Sequence, residues 1–325
     1  MRELSLGGKS GRCRILIGEK LANLAKYCGS TKIAIITGKS VSVLHSKNFP
    51  QAEVIEIGNG EGAKTLETAA SIYRRFLALE LDRSAFIVGI GGGVVCDVAG
   101  FVASTYLRGL RLGLVPTTLL AQSDAAIGGK NGVNLDSYKN LIGTFRQPEF
   151  CLIDFDFLKT LPEKELANGF AEVIKHAAIG SPGLLGFLEK NSAALLSGDA
   201  TALEKAVSDS VAVKVKAVQN DELESGKRMV LNFGHTLGHA IEKTAKISHG
   251  QAVGIGMAAA LRISVSKGLL KDVDASLVVS LIEKFGLPTK INFNRALVLD
   301  AIKKDKKRRG DGFIMVLLGG IGKPI

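Results

Sequence analysis

Short apolar runs alternate with amphipathic stretches through the first half of the chain. A run of about four to eight apolar residues between turns predicts a buried strand, and apolar residues every three or four positions predict a helix. Strands that alternate with helices are typical of a parallel sheet with both faces covered. The predicted strands are Lys32–Thr37, Ala85–Ile90, Leu112–Pro116 and Phe150–Asp154, and the predicted helices are Thr65–Leu79 and Val94–Thr105.

The pattern changes after Leu161 and Pro162, where long helical periods follow one another. We therefore predict an α/β protein, with an N-terminal Rossmann-like parallel-sheet domain over residues 1–155 and an all-helical C-terminal domain over residues 156–325. The helices predicted for the second domain are Ala167–Ala178, Pro182–Glu189, Thr201–Asp221, Leu231–Lys246, Gly250–Lys267 and Asp274–Phe285.

Three of the chain's five histidines, His235, His239 and His249, lie in one short window. Imidazole is the commonest metal ligand and is suited to proton transfer near neutral pH. His235 and His239 share one face of a helix, which suits two metal ligands and also suits two half-buried side chains bonded to carbonyls. Glycines around them favour the close approach of a ligand or of another helix, so both interpretations stay open.

The composition narrows the class of protein. A chain of 325 residues that is 46% hydrophobic suits two globular domains or one large one. The four cysteines form no CxxC pair, which indicates reduced thiols rather than a disulfide framework. Neither a signal peptide nor an apolar run that could span a bilayer is evident, so we expect a cytoplasmic protein without a membrane partner.

The formal net charge of +11 has two interpretations. A nucleic-acid binder would concentrate basic residues and stacking aromatics, whereas here the basic residues are spread along the chain. The exception is the run from Lys303 to Arg309, which is typical of a solvated surface. We favour a cleft for a small, highly anionic substrate and expect no nucleic-acid partner.

Two glycine-rich turns follow predicted strands. Gly89-Ile-Gly-Gly-Gly93 opens a helix, where backbone N–H groups can bind a phosphate. A tight packing turn is the alternative, because Val94 replaces the third glycine of the usual dinucleotide fingerprint. Gly38-Lys39-Ser40 resembles the end of a P-loop, but Ile33 stands at the first glycine position, which argues against ATP binding there.

Charged side chains gather in two further motifs. We predict that residues 116–134 form a polar, glycine-rich loop, which presents Asp124 and Lys130. Glu172, Lys175 and His176 fall within one helical turn. A surface ion pair would explain that cluster, but its small and apolar neighbours favour the lining of a cleft.

Together these motifs resemble the 3-dehydroquinate synthase family over nearly the whole chain. The resemblance implies a homodimeric lyase of the shikimate pathway that binds NAD in the first domain and a divalent metal, zinc or cobalt, in the second. Such enzymes convert 3-deoxy-D-arabino-heptulosonate 7-phosphate to 3-dehydroquinate and phosphate by oxidation, β-elimination, reduction and intramolecular aldol cyclisation. The matching segments are GGGVVCDVAGFVAST, VPTTLLAQSDAAIGGKNGVN, KNLIGTF, GFAEVIKH, DELESGKRMVLNFGHTLGHAIE, HGQAVGIGM and Asp305-Lys306-Lys307.

The family's metal ligands correspond to Glu172, His235 and His249. This assignment replaces the His235–His239 pair that spacing alone suggests, and it makes His239 a proton-transfer residue beside the metal. One carboxylate, two imidazoles and open coordination positions suit a catalytic zinc ion.

The resemblance also assigns cofactor and substrate residues. A phosphate and a carboxylate on one substrate would explain the converging cations, and we expect Lys130 and Arg228 to meet these groups rather than to pack in a core. Arg108 corresponds to an arginine that reaches the substrate phosphate of the neighbouring subunit, which implies the homodimer. The implied cofactor residues are Glu61, Lys64, Gly92, Gly93, Asp97, Thr117, Thr118 and Lys139; the implied substrate residues are Asp124, Lys130, Asn140, Lys175, Lys214, Glu224, Arg228, Asn232 and His239, with one of Lys306 and Lys307.

Several positions depart from the family's pattern. Gly38 and Ser40 replace an Asp and an Asn near the adenosine end of NAD, which puts adenosine recognition and the preference for NAD over NADP in doubt. Gln251 replaces a Glu after the His-Gly pair, and losing a carboxylate there is expected to lower metal affinity. Three positions of the substrate loop also differ: the family's Ser, Ser and Thr are replaced by Ala125, Ala126 and Asn131. An altered substrate and neutral drift are both open explanations.

Three other functions compete. A cyclase acting on sedoheptulose 7-phosphate usually changes the positions of Lys130, Asn140, Asn232 and His239, which are all of the synthase type here; a cyclase for the amino-substituted heptulosonate stays open. A metal-dependent polyol dehydrogenase would need no phosphate-binding cations. A nucleic-acid binder is supported by charge alone.

Overall fold

The computed structural model describes residues 1–29, 31–136, 138–292, 294–303, 308–309 and 312–325. The chain divides into two compact units, Met1–Leu161 and Pro162–Ile325. The boundary predicted at residue 155 falls at the first residue of a 3₁₀ helix, Phe155–Thr160, which belongs to the first unit.

The described residues of the first unit contain nine strands, and seven of them form one sheet. In chain order they are β1 (Arg2–Gly8), β2 (Gly11–Ile17), β3 (Ile33–Gly38), β4 (Glu53–Ile57), β5 (Phe86–Gly91), β6 (Arg111–Pro116), β7 (Lys130–Leu135), β8 (Tyr138–Phe145) and β9 (Phe150–Ile153). The sheet order is β1-β2-β9-β6-β5-β3-β4, and every neighbouring pair is parallel except β1 with β2.

The centre of this sheet is apolar on both faces. Every residue of β3 and of β5 is buried, as expected when parallel strands are covered on two sides. Ile35, Val88 and Leu152 contribute from three strands to one core cluster. The prediction of a parallel-sheet α/β unit is therefore confirmed.

The segment predicted as a polar loop is ordered differently. A π-helical turn, Ala121–Ala125, leads into the antiparallel hairpin of β7 and β8. Gly132 lies directly opposite Gly143 in this hairpin. A Cβ on Gly132 would lie 2.5 Å from the carbonyl oxygen of Ile142, so the two strands approach more closely than side chains would permit.

The described part of the first unit also contains four α-helices: α1 (Ala25–Cys28), α2 (Lys39–His45), α3 (Leu66–Ala78) and α4 (Gly93–Thr105). Thr65 caps α3, because its hydroxyl accepts a hydrogen bond from the Thr68 N–H at 3.2 Å. Helix α4 follows β5 directly, and it is largely buried. The turn between them is therefore held by a buried strand on one side and a buried helix on the other.

The second unit is built mainly of helices. They are α5 (Glu163–Gly180), α6 (Pro182–Leu196), α7 (Ala200–Asn220), α8 (His235–Ala245), α9 (His249–Ser266), α10 (Asp272–Lys284) and α11 (Arg295–Lys303), and a short strand pair, β10 (Arg308–Arg309) with β11 (Gly312–Phe313), follows them.

Helices α8 and α9 pack backbone against backbone. A Cβ on Gly238 would lie 3.0 Å from the Ala252 carbonyl oxygen, and one on Gly256 would overlap the Gly234 carbonyl oxygen. This contact brings the start of α8 alongside α9. Across the described part of the chain, none of the helices combines the length and apolar character needed to cross a bilayer.

Candidate functional site

The nucleotide loop predicted in the first unit lies between β5 and α4. Gly89 and Gly91 serve packing, because Cβ atoms there would lie 2.7 Å from Ala99 Cβ and 2.5 Å from Val95 Cβ. Gly92 and Gly93 are only half-buried and form the first turn of the helix. Among the described residues no side chain caps this helix end, so its N–H groups suit an anion such as a pyrophosphate.

Thr117 and Thr118 complete the wall of this loop. The Thr117 N–H donates to the Gly91 carbonyl oxygen at 2.9 Å, which ties the end of β6 to the end of β5. A Cβ on Gly92 would lie 3.1 Å from Thr118 Cγ2. The four predicted residues Gly92, Gly93, Thr117 and Thr118 are therefore neighbours.

A polar network joins most of the other predicted cofactor residues. Lys64 is 4% exposed and donates to Asp97 and to Asn140. Asn134 extends the network, since its amide donates to Glu61 at 2.8 Å and accepts from the Asn140 N–H at 2.9 Å. The structure thus places Asn140, predicted at the substrate, against the predicted cofactor residue Lys64. Asn134 escaped the sequence analysis, which treated its segment as a loop.

The remaining predicted residues of the first unit are more exposed. Asp124 is half-buried in the π-helical turn, whereas Lys130 and Lys139 are exposed on β7 and β8. Arg108 is also exposed, and it ends a turn in which both Leu107 and Arg108 have left-handed backbones, with φ of 49° and 65°. Such conformations cost energy for residues with side chains.

In the second unit, three side chains distant in sequence converge on one point. Glu172 of α5 is fully buried, and its Oε1 lies 3.1 Å from His249 Nε2 and 3.4 Å from His235 Nε2. One ligand atom from each of these residues lies within 4.8 Å of the others. The structure therefore brings together the three predicted metal ligands.

The two imidazoles are held by different partners. His235 Nδ1 lies 3.1 Å from the Phe233 carbonyl oxygen, and His249 Nδ1 lies 3.1 Å from Glu242 Oε2. With a metal bound, each Nδ1 would keep its proton for its own acceptor, which would leave the Nε2 lone pair to bind the ion. Burial opposes a charge on His249, yet its hydrogen bonds with Glu172 and Glu242 raise its pKa to about 9.

This donor set fits a divalent metal. A buried carboxylate with two imidazole Nε2 atoms is the ligand combination of catalytic zinc sites. A buried carboxylate is stable only beside a positive charge. Lys175 of the same helix supplies one, because it forms a buried ion pair with Glu172.

His239 and His176 have different surroundings. The His239 ring centroid lies 5.1 Å from that of His235 and 6.2 Å from that of His249, so His239 borders the cluster. His176 is fully buried, with Nδ1 2.8 Å from the Ser210 hydroxyl of α7. A ligand atom of His176 also lies within 4.8 Å of one of Glu172, so these two side chains are close together, and the expectation that Glu172, Lys175 and His176 line a cleft stays a prediction.

The predicted substrate residues of the second unit lie near the loop that follows α7. Asn232 donates to Glu224 at 3.0 Å. Arg228 is 2% exposed, and its Nη1 donates to the Glu222 carbonyl oxygen at 2.6 Å. Arg228 is therefore buried, and its contact with the substrate stays a prediction. Lys214 is buried on α7, and Lys306 and Lys307 lie outside the described residues.

Three departures from the family's pattern, Gly38, Ser40 and Asn131, have local explanations. Asn59 Oδ1 accepts from the Ser40 N–H at 3.3 Å, and a Cβ on Gly38 would lie 3.3 Å from the same oxygen. Asn59 thus fills the space beside Gly38. Asn131 accepts from the Thr144 hydroxyl at 2.6 Å across the hairpin, which gives this departure a structural role.

Gln251 has a role in folding. Its Oε1 accepts from the Ser248 N–H at 3.1 Å, and together they form a capping box at the start of α9. The carboxylate that meets His249 belongs instead to Glu242, which the sequence analysis missed. Its spacing from His239 on one helix face was the available signal.

Comparison with known sequences gives a consistent picture. The sequence models for the 3-dehydroquinate synthase N-terminal and C-terminal regions match residues 54–168 and 169–308. A 3-dehydroquinate synthase from Pyrococcus furiosus is 46% identical over 312 residues, which cover 93% of this chain and 89% of that protein. The one from Saccharolobus solfataricus is 40% identical over 99% of this chain and 94% of its own length.

Solved structures extend the likeness to related cyclases. The 2-epi-5-epi-valiolone synthase of Streptomyces hygroscopicus, with NAD⁺ and Zn²⁺ bound, and a 2-deoxy-scyllo-inosose synthase, complexed with carbaglucose-6-phosphate, NAD⁺ and Co²⁺, are each 29% identical. Each superposes with a TM-score of 0.89, covering 100% of this chain and 94% of the other. A probable glycerol dehydrogenase from Sinorhizobium meliloti, at 16% identity, a TM-score of 0.66 and 90% coverage of this chain and 89% of that one, shares the fold alone. With both family models matched and relatives above 40% identity along most of its length, the chain belongs to the 3-dehydroquinate synthase family.

Proposed function

We propose that this protein is a lyase that converts 3-deoxy-D-arabino-heptulosonate 7-phosphate to 3-dehydroquinate and phosphate. The observation that carries the proposal is the convergence of Glu172, His235 and His249, with Lys175 paired to Glu172. Family membership supports it, since the relatives named above are 3-dehydroquinate synthases.

NAD and a divalent ion, Zn²⁺ or Co²⁺, are the proposed cofactors, as in the two related cyclases. When bound, NAD would accept and return one hydride, and the metal would polarise the carbon–oxygen bond that is oxidised. Glu172, His235 and His249 would hold the metal. Glu61, Lys64, Gly92, Gly93, Asp97, Thr117, Thr118 and Lys139 would hold NAD.

The chain's own side chains would orient the substrate and exclude water. Glu172 and Lys175 are 0% and 1% exposed, and electrostatic interactions strengthen where water is absent. Cationic side chains suit the phosphate and carboxylate of the substrate. His239, beside the cluster, would transfer protons. The substrate residues are Asp124, Lys130, Asn140, Lys175, Lys214, Glu224, Arg228 and Asn232, with one of Lys306 and Lys307.

We further propose a homodimer in which Arg108 reaches the phosphate of the partner's substrate. The exposure and strained backbone of Arg108 support this role. The four buried cysteines, each a thiol, support a reducing compartment such as the cytoplasm.

One assay tests the proposal against its alternatives. Purified protein loaded with Zn²⁺ or Co²⁺ is given the heptulosonate phosphate and NAD far below the substrate concentration. We expect many turnovers per NAD, one phosphate released per substrate consumed, little NADH absorbance, and a product that NMR identifies as 3-dehydroquinate. Chelator-treated protein should be inactive until metal is restored. Sedimentation equilibrium on the same sample tests the dimer.

The competing functions predict other results. NADH that grows in step with substrate consumption, without phosphate release, would make the protein a dehydrogenase. Faster turnover of sedoheptulose 7-phosphate or of the amino-substituted heptulosonate would make it a sister cyclase.

A further inference from the structure

The second imidazole nitrogen of His249 faces a carboxylate from another helix. Glu242 lies in the last turn of α8, and His249 is the first residue of α9. Their side chains are 16% and 29% exposed, and Glu242 Oε2 lies 3.1 Å from His249 Nδ1. His249 is therefore held between two carboxylates, Glu172 at Nε2 and Glu242 at Nδ1.

The two proposed histidine ligands differ in this respect. His235 Nδ1 meets the neutral carbonyl of Phe233, whereas His249 Nδ1 meets a charged group. A carboxylate that accepts the outer N–H of an imidazole fixes the ring's orientation and raises the electron density at the other nitrogen. Both effects strengthen a bond from Nε2 to a cation.

The backbone around His249 is also fixed. Ser248 and Gln251 form the capping box that starts α9, and the Gly250 N–H donates to Asn168 Oδ1 on α5. Asn168 lies one helical turn before Glu172. The start of α9 is therefore tied to the helix that carries Glu172. The His249 ring can still rotate about its side-chain bonds, and the hydrogen bond with Glu242 restricts that rotation.

We infer that Glu242 is a positioning residue that orients and polarises His249 for the metal. This inference rests on the proposed metal site but names a residue outside the ligand set. It also accounts for Gln251: the carboxylate that supports His249 is supplied by α8, so position 251 serves the helix cap without it.

Metal affinity measured on the whole protein tests the inference without an activity assay. Zn²⁺ dissociation constants are obtained by competition with a chelator for the wild type, Glu242→Ala, Glu242→Gln and Gln251→Glu. Removing an outer partner of this kind usually costs about 10–100-fold in metal affinity, and we expect that range for Glu242→Ala. Glu242→Gln should lose less, because its amide oxygen still accepts from Nδ1.

Gln251→Glu is the matched control, since it adds a carboxylate at the start of α9 and keeps an acceptor for the Ser248 N–H. Its Zn²⁺ affinity should stay within about twofold of the wild type, because it leaves the His249 contact intact. Visible spectra of the Co²⁺-loaded proteins give a second readout. The d–d bands should shift for Glu242→Ala, partly recover for Glu242→Gln and stay unchanged for Gln251→Glu.

The outcomes separate the two proposals. A wild-type protein that binds neither Zn²⁺ nor Co²⁺ overturns the proposed function together with its metal site. Wild-type affinity and an unchanged Co²⁺ spectrum in both Glu242 variants overturn the positioning role alone. Tighter Zn²⁺ binding by Gln251→Glu would assign the carboxylate that supports His249 to position 251, and it would also overturn the positioning role of Glu242. Melting temperatures of the metal-free proteins show whether each variant folds. If Glu242→Ala is misfolded, the Zn²⁺ affinity and Co²⁺ spectrum of Glu242→Gln test the positioning role.

Discussion

At the scale of single residues, Asp221 organises the loop that carries two predicted substrate residues. Its Oδ1 accepts from the N–H and the hydroxyl of Ser225, both at 2.9 Å. Its Oδ2 accepts from the N–H groups of Gly226 at 2.7 Å and Arg228 at 3.0 Å. These hydrogen bonds, with that from the Arg228 N–H contributing most, hold the pKa of Asp221 well below its usual range.

The loop needs this support because its backbone is strained. Glu224 adopts a left-handed conformation, with φ of 58°, which is unfavourable for a residue with a side chain. Glu224 also accepts the hydrogen bond from Asn232. A single half-buried carboxylate therefore sets the positions of Glu224 and Arg228 through the backbone.

We predict that Asp221→Asn raises the KM for the heptulosonate phosphate roughly tenfold, because displaced binding groups lose their alignment. The Asn amide group replaces one oxygen and cannot accept from the N–H groups that face it. The KM for NAD, whose predicted residues lie in the first unit, should stay unchanged. Steady-state kinetics with each ligand varied in turn measure both values.

Asp209→Asn is the control for Asp221→Asn, because Asp209 forms a surface pair with Lys205 on α7 at 2.8 Å and exposed pairs of this kind contribute little. Equal KM values for Asp221→Asn and the wild type would show that the loop holds its shape without this carboxylate.

At the scale of elements, the contact between α8 and α9 sets the distance between two predicted ligands. His235 begins α8 and His249 begins α9. The helices meet at Gly234, Gly238 and Gly256, where added Cβ atoms would strike backbone atoms of the opposite helix. Since backbone atoms cannot rotate away, a larger residue must push the helices apart.

We therefore predict that Gly256→Ala lowers the free energy of unfolding by roughly 1–3 kcal/mol through overpacking and weakens Zn²⁺ binding by separating His235 from His249. Gly186→Ala is the matched control on α6, where a Cβ would meet nothing within 4 Å. The free energy of unfolding of that variant should rise by roughly 0.5–1 kcal/mol, because alanine stabilises a helix interior relative to glycine. Urea unfolding monitored by circular dichroism compares the two. A Gly256→Ala protein as stable as Gly186→Ala would contradict the tight contact.

The strands of the first unit show which elements hydrophobic patterns can predict. Strands β3 and β5 were predictable because every residue in them is buried, so their apolar runs are continuous. Strands β1 and β4 escaped because most of their residues are exposed. Strand β8 has exposed or half-buried residues throughout, and hydrophobic periodicity carries no signal where neither face is covered.

The candidate metal site was predictable only in part. Spacing along one helix brought His235 and His239 together, but Glu172 lies 77 positions from His249, and periodicity cannot show that α5 and α9 meet. The family resemblance supplied Glu172. Glu242 shares a helix face with His239, but its contact with His249 was not predictable. The turn between α8 and α9, with Lys246 in a left-handed conformation, directs Glu242 back toward His249, and a local pattern does not reveal that reversal.

At the scale of the whole molecule, the cysteines connect folding with pH. All four are buried thiols. Burial raises the pKa of Cys13 and of Cys28 to about 12, and it raises the pKa of Cys96 well above its usual range. A thiol reagent attacks the thiolate, so the folded protein should react slowly at neutral pH, whereas all four thiols should react rapidly in denaturant.

The raised pKa values also predict how stability depends on pH. Thiols of the unfolded chain ionise near pH 8.5–9, while Cys13 and Cys28 of the folded protein keep their protons to about pH 12. Between these values the folded state binds more protons than the unfolded state. The free energy of unfolding should therefore fall as pH rises from about 9 to 12, by about 1.4 kcal/mol per pH unit for each such thiol.

Other groups titrate in the same range, so the comparison of variants isolates the thiols. Cys13→Ala and Cys28→Ala should each show a shallower loss of stability between pH 9 and 11 than the wild type, although both start from a lower value because a buried side chain is truncated. Urea unfolding at a series of pH values gives the slopes. Parallel slopes for the wild type and both variants, or rapid labelling of the folded protein, would mean that these thiols are reached by water, and the packing around β2 and α1 that buries them would have to be looser than described.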